Sequence, residues 1–178
     1  MIEKTELLLK TGRFDVVRLS YRDADGSVHT REAARHPGAV TILPILEDGR
    51  VCLIRNYRVA VDQTLIELPA GTLEPGEAPS VTAARELEEE TGYRASDVRQ
   101  LAEFFMSPGI LSERMVLFLA RGLTPGATRL EGGELIEPFH VAWDEAMALV
   151  ERGEIRDAKS LVGLLWYDRH QRRMKAEG

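Results

Sequence analysis

The stretch AGTLEPGEAPSVTAARELEEETGY, Ala70 to Tyr93, constrains this chain more than any other. Its second half has helix-forming composition, with Pro79 tolerable near the start and Gly92 as the stop. Such a helix carries Glu86, Glu88, Glu89 and Glu90 toward its C-terminal end. Glu86, Glu89 and Glu90 stand at i, i+3 and i+4 and gather on one face, while Glu88 points elsewhere. Like charges at that spacing destabilise a helix by about 0.2–0.5 kcal/mol per pair, and acids near the C-terminus also oppose the macrodipole. A solvated acidic face is the plain interpretation of an arbitrary run of this kind. Two broken local rules suggest function where a compensating ligand exists, and clustered carboxylate oxygens match a hard divalent cation, Mg2+ or Mn2+, so both readings of the run stand until its neighbours are considered.

The rest of the chain predicts a mixed α/β protein. β-Rich runs separated by turn residues fill the first third, from RFDVVRLSYRD through SVHTREAA and GAVTILPILE to VCLIRNYR. TLIELPAG is a further short strand that leads through a loop into the acidic helix. VRQLAEFFMS and ERMVLFLARGL flank the turn PGILS, TPGATRLEGGE is a glycine-rich loop, and AWDEAMALVERGE and DAKSLVGLLWYDRHQRRMK are apolar at helical spacing. Trp143 and Trp166 on those two helices read as core anchors. A boundary near residues 36–38 separates a small β-rich extension, residues 1–37, from the main domain, residues 38–178.

Composition narrows the function. With 178 residues the prior is one compact domain, and 44% hydrophobic with 29% charged residues argues against disorder. A net charge of −6 supplies no global basic field for nucleic acid or an anionic membrane, so an anionic substrate needs metal or a few arginines. Cys52 is the single cysteine, which excludes a disulfide framework and a cysteine-based zinc cluster and suits a reducing cytoplasm. No signal peptide and no uninterrupted apolar run of membrane length are expected. No P-loop lysine or G-x-S-x-G elbow occurs, and His29, His36, His140 and His170 lack zinc spacing.

Gly71, Glu77, Arg85, Glu86, Leu87, Glu89, Glu90 and Gly92 match the pattern G-x5-E-x7-R-E-U-x-E-E-x-G-U, with U aliphatic and bulky Tyr93 at the final position. At ordinary residue frequencies its fixed positions coincide by chance on the order of once in 10^8 start points. The pattern is the signature of the Nudix hydrolases, which the chain therefore resembles. That resemblance implies an α/β/α sandwich that hydrolyses a nucleoside diphosphate linked to another moiety. It implies Glu86 and Glu90 as leading metal ligands, Glu89 as a further ligand or ligand support, and the Ala70 carbonyl as another. Arg85, beside the carboxylates, can orient them, and Glu77 can fix the loop.

Pro108, fifteen residues after Tyr93, the runs CLIRNYRVAV and LIELPAGTLEPGE, and the β-rich extension are similar to the ADP-ribose pyrophosphatase subgroup. The similarity implies Arg58 on the diphosphate, with Arg55 as a further candidate. It also places Phe14 where an aromatic ring stacks on adenine, packing in the core or the hairpin being the alternative for that residue. A general base is implied in RLEGGELIEPFHV, where Glu134 is preferred over Glu131 and Glu137, and Glu113 is a further metal-proximal acid. The expectation is Mg2+-dependent cleavage of ADP-ribose to AMP and ribose 5-phosphate by a homodimer whose N-terminal strands help complete the partner's site. Another nucleoside diphosphate sugar as substrate, or a non-catalytic Nudix domain that senses nucleotides, are the alternatives.

Overall fold

Period-two alternation along two neighbouring strands sets the layers of the computed structural model, which describes residues 1–130, 132–133 and 135–177, with side chains described through residue 173. Strands β4 (Ala39–Pro44) and β9 (Arg114–Pro125) pair in parallel at the centre of a four-stranded sheet, flanked by β7 (Ala70–Thr72) and β8 (Tyr93–Phe105). Val40 and Ile42 of β4, with Val116, Phe118 and Ala120 of β9, pack against Ala83 and Leu87 of helix α1 (Pro79–Thr91). Leu43 and Leu119 join the opposite core, with Ala146 and Leu149 of α2 (Trp143–Glu151) and Leu164 and Tyr167 of α3 (Ala158–Glu177). Helices therefore cover both faces, which is why every residue of β4 is buried. The expected α/β/α sandwich is what forms.

A second, antiparallel sheet, β10 (Ile136–Val141), β5 (Val51–Arg58) and β6 (Gln63–Glu67), adds Val51 and Leu53 to the larger core. Trp143 and Trp166 pack against this core as expected, and the Trp143 indole N–H donates to Asp168 at 3.2 Å. Cys52 of β5 is wholly buried, and burial pushes its thiol up to about 12, so it offers no thiolate at neutral pH.

The first three strands, β1 (Ile2–Lys10), β2 (Asp15–Arg22) and β3 (Val28–Arg35), make their own antiparallel sheet in that order. It joins the main body where the Ala34 N–H donates to the Ile110 carbonyl at 2.8 Å and the Ser112 N–H to the Ala34 carbonyl at 2.9 Å. The turn holding Pro108 is thus the seat of the extension. All nine residues of β1 are exposed, Leu7, Leu8 and Leu9 among them. No helix among the described residues is long and apolar enough to cross a membrane.

Candidate active site

The buried stripe of α1 explains why one glutamate lies inside. Ala83, Leu87 and Glu90 stand at i, i+4 and i+7, so Glu90 falls on the sheet-facing side and is only 3% exposed. Its Oε2 accepts the Ala70 N–H at 2.9 Å, which ties the helix to the strand pair before it. Glu86, one turn earlier, lies over Gly71. A Cβ at position 71 would come within 1.8 Å of the Glu86 carboxyl carbon, so glycine is required there for space. Gly92 ends the helix at φ 74°, a left-handed conformation that glycine adopts freely, and a Cβ there would meet the Gly126 carbonyl at 2.9 Å.

Gly71→Ala should therefore displace the Glu86 carboxylate while leaving both cores intact. The expected result is a fall of about 10^2-fold in kcat/KM, the usual consequence of misplacing a reacting group by an ångström. The thermal midpoint should change little, and activity within twofold of the parent would show that the position of this carboxylate does not matter.

Arg85 resolves much of the charge crowding. Its Nη1 donates to Glu86 at 2.8 Å and to Glu89 at 3.0 Å, and its Nη2 and Nε donate to Glu77 at 3.1 and 3.3 Å. The Glu77 hydrogen bond, against a burial cost and reinforced by Glu86 and Glu89, holds the guanidinium protonated above its ordinary range. Arg85 in turn keeps the Glu77 carboxyl below its usual range, with Thr82 adding a 2.8 Å bond. Glu88 points away as expected. It pairs with Arg94 and Arg129, each at 2.7 Å, and the Arg129 N–H donates to the Glu89 carbonyl at 2.9 Å. The fourth glutamate thus moors the start of the glycine-rich loop to the acidic helix.

Among the described residues no three acidic, histidine or cysteine side chains form a ready-made ligand set, and Arg85 bridges Glu86 and Glu89. The donor chemistry nevertheless suits a hard cation: carboxylate oxygens at adjacent turns, backbone oxygen nearby, and room over Gly71 for the Glu86 carboxylate.

Glu86 and Glu90, but not Glu89, line one side of a cleft of about 520 Å3 whose wall also includes Ala70, Gly71, Arg85 and Arg58. Arg58 ends β5 and grips Glu67 through two nitrogens, Nε to Oε1 at 2.9 Å and Nη2 to Oε2 at 2.6 Å. Bonding to Glu67, against burial, raises its already high pKa, so it is a permanent cation in the cleft. Gly12, Arg13 and Pro37 are shared with a second cleft of about 400 Å3, which Phe14 lines at 40% exposure. Phe14 therefore sits at a cleft wall, not in the core.

Other expected site residues lie elsewhere. Arg55 is on the opposite face of β5 from Arg58, 4.1 Å above the Phe139 ring and 3.6 Å from Glu137, and both charged residues line a separate cleft of about 340 Å3. Pro108 is in the exposed turn that seats the N-terminal sheet. Glu113 stands 3.6 Å from His36 Nδ1 and lines neither of the first two clefts. Glu131 and Glu134 lie outside the described residues. Arg13 and Glu67 are cleft and cleft-backing residues that sequence reasoning misses. A charge inside the apolar run TLIELPAG is the available signal for Glu67, since a buried carboxylate demands partners.

The fold agrees with comparison to known proteins. A family model described as NUDIX domain matches residues 35–164. An ADP-ribose pyrophosphatase from Bacillus subtilis (strain 168) is 39% identical over 142 residues, covering 79% of this chain and 77% of that protein. A GDP-mannose pyrophosphatase from Klebsiella pneumoniae subsp. pneumoniae is 40% identical over 156 residues, covering 81% of this chain and 78% of that protein. A solved structure described as an ADP compounds hydrolase superposes with a TM-score of 0.83 at 25% identity, covering 100% of this chain and 95% of the other.

Proposed function

The chain belongs to the Nudix family, and from that membership we propose that it is a hydrolase that splits the diphosphate of ADP-ribose into AMP and ribose 5-phosphate, with Mg2+ as its cofactor and Mn2+ as a substitute. The observation that carries this is the pair of joined clefts, one walled by Arg58 and the α1 carboxylates, the other by Phe14. A nucleoside diphosphate sugar needs that division, with a charged middle and an aromatic end. The names of an ADP-ribose pyrophosphatase and an ADP compounds hydrolase among its relatives favour adenine as the base.

Glu86, Glu90, Glu89 and the Ala70 carbonyl would hold the cation, which when bound screens the diphosphate and makes the attacking water more acidic. The chain's own residues do the remaining work. Arg58 presents a guanidinium to the phosphate oxygens, and its Nη1 is not committed to Glu67. Arg85 keeps Glu86 and Glu89 oriented from the side, and Phe14 stacks on the adenine. A glutamate of the glycine-rich loop, Glu134 first, takes the proton as water attacks phosphorus. Arg55 and Glu113 are given no part in these steps.

Residues 1–37 are proposed to act as a dimerisation and nucleotide-contact element, with residues 38–178 as the hydrolase domain. The exposed edge of β1 and its leucines support a homodimer in which these strands are covered by a second copy. Light scattering should give twice the 19.9 kDa chain mass. A monomer that stays fully active at low nanomolar enzyme would overturn the shared site. Neither nucleic acid nor membrane is an expected partner at a net charge of −6, and a single buried cysteine suits a cytoplasmic location.

A second substrate reading has support of its own, because a GDP-mannose pyrophosphatase matches this chain at 40% identity, against 39% for the ADP-ribose pyrophosphatase. Incubation of the protein with ADP-ribose and Mg2+, followed by chromatography, tests the first. Equal amounts of AMP and ribose 5-phosphate are expected, with none after chelation. Absence of turnover on every nucleotide tried would favour a nucleotide-sensing domain with an idle box.

A further inference from the structure

Behind the cleft, a line of four charged side chains runs from the helix α3 terminus to Arg58. Glu67, 1% exposed, is met from two sides: by the Arg58 fork at 2.9 and 2.6 Å and by Lys159 Nζ on its Oε2. Lys159, 6% exposed, also donates to Asp157 Oδ2 at 2.8 Å. That same Asp157 oxygen accepts the Ser160 N–H at 3.1 Å and caps α3. Burial would raise the Glu67 carboxyl, and Arg58 and Lys159 together overcome it and hold it ionised.

Stability alone does not account for this arrangement. Desolvating each ion costs several kcal/mol, and a buried ion network is often no more stable than apolar residues of the same volume. What the network does achieve is fixed geometry at one end. Lys159 and the Arg58 fork constrain the Glu67 carboxylate from two directions. The carboxylate in turn fixes the plane of the guanidinium. Only Arg58 of the four lines the cleft.

We propose that Lys159 is a positioning residue, acting through Glu67 to aim Arg58 at the substrate diphosphate. This rests on the assignment of Arg58 to the diphosphate made above. Lys159 does not touch substrate. Its removal leaves Glu67 free to turn about its terminal torsion, and the Arg58 fork turns with it.

The test is a double-mutant cycle of Lys159→Met and Arg58→Ala, with kcat and KM for ADP-ribose measured separately at saturating Mg2+. Arg58→Ala should raise KM roughly 10- to 100-fold, the range expected for a lost charged hydrogen bond. Lys159→Met should raise KM several-fold with kcat nearly kept, and Lys159→Arg should recover part of it. In the Arg58→Ala background Lys159→Met should cost nothing more, because its effect passes through Arg58. A merely structural lysine would instead lower activity by the same factor in both backgrounds, and that result would overturn the inference while leaving the role of Arg58 intact. An unchanged KM in Arg58→Ala would overturn both. If Lys159→Met does not fold, the cycle is run with Asp157→Asn, which keeps a helix cap and removes only the charge that holds Lys159. The same non-additivity is expected, with a smaller single effect, and additivity would again overturn the inference.

Discussion

Glu86→Gln and Glu90→Gln should each lower kcat on ADP-ribose by on the order of 10^2-fold or more at saturating Mg2+, while the fold survives. Glutamine keeps the shape and one carbonyl oxygen at each site. In Glu90→Gln the side-chain carbonyl can still accept the Ala70 N–H that docks α1, and in Glu86→Gln it can still accept from Arg85 within the helix, so both hydrogen bonds persist. The negative charge is lost, and with it the hard anionic donor a divalent cation needs. Glu86 and Glu90 also repel each other at i, i+4 by about 0.2–0.5 kcal/mol, so the metal-free melting temperature should hold or rise slightly. Far-ultraviolet circular dichroism on melting and steady-state kinetics together check this. Near-normal kcat in either variant would remove that residue from the ligand set.

Loss of the general base should be comparably severe. Glu134→Gln is expected to cost about 10^2- to 10^4-fold in kcat, the usual range for a missing base, whereas an exposed loop glutamate should cost almost nothing. The loop begins at a fixed point: Arg129 is held by the Glu89 carbonyl and the Glu88 carboxylate, so the chain leaves directly from the acidic helix. Glu131 and Glu134 follow Arg129 by two and five residues. Glu137 is different. It is locked into β10 opposite Arg55 and 3.6 Å from it, on the face of β5 that turns away from Arg58. Kinetics of Glu131→Gln, Glu134→Gln and Glu137→Gln should single out Glu134. Collapse of a neighbour with Glu134→Gln within a few fold moves the role to that neighbour, and three active variants would end the idea of a loop base.

Local signals carried most of the architecture. The alternation of β4 and β9 between two cores, the stop at Gly92 and the gathering of Glu86, Glu89 and Glu90 all follow from period and spacing over a few residues. The same parity could have separated Arg55 from Arg58, since residues three apart on one strand face opposite ways. Strand β1 is harder to read. IEKTELLLK has no buried face, so no alternation marks it, and only pairing with β2 makes it a strand. The Glu67–Lys159 contact spans 92 residues of sequence. No local pattern announces that a lysine at the start of α3 will meet a carboxylate at the end of β6. The partners of Arg85 were partly legible from adjacency, but its bond to Glu77 requires the loop to fold back over the helix.

The most direct test is a comparison of kcat/KM for ADP-ribose, GDP-mannose, UDP-glucose, NADH and 8-oxo-dGTP under one set of conditions with saturating Mg2+. ADP-ribose should lead the series and yield AMP and ribose 5-phosphate, with the activity abolished by chelation and by Glu86→Gln. Preference for GDP-mannose or another member would contradict the ADP-ribose assignment, and turnover that persists without a divalent cation would contradict the role given to the α1 carboxylates.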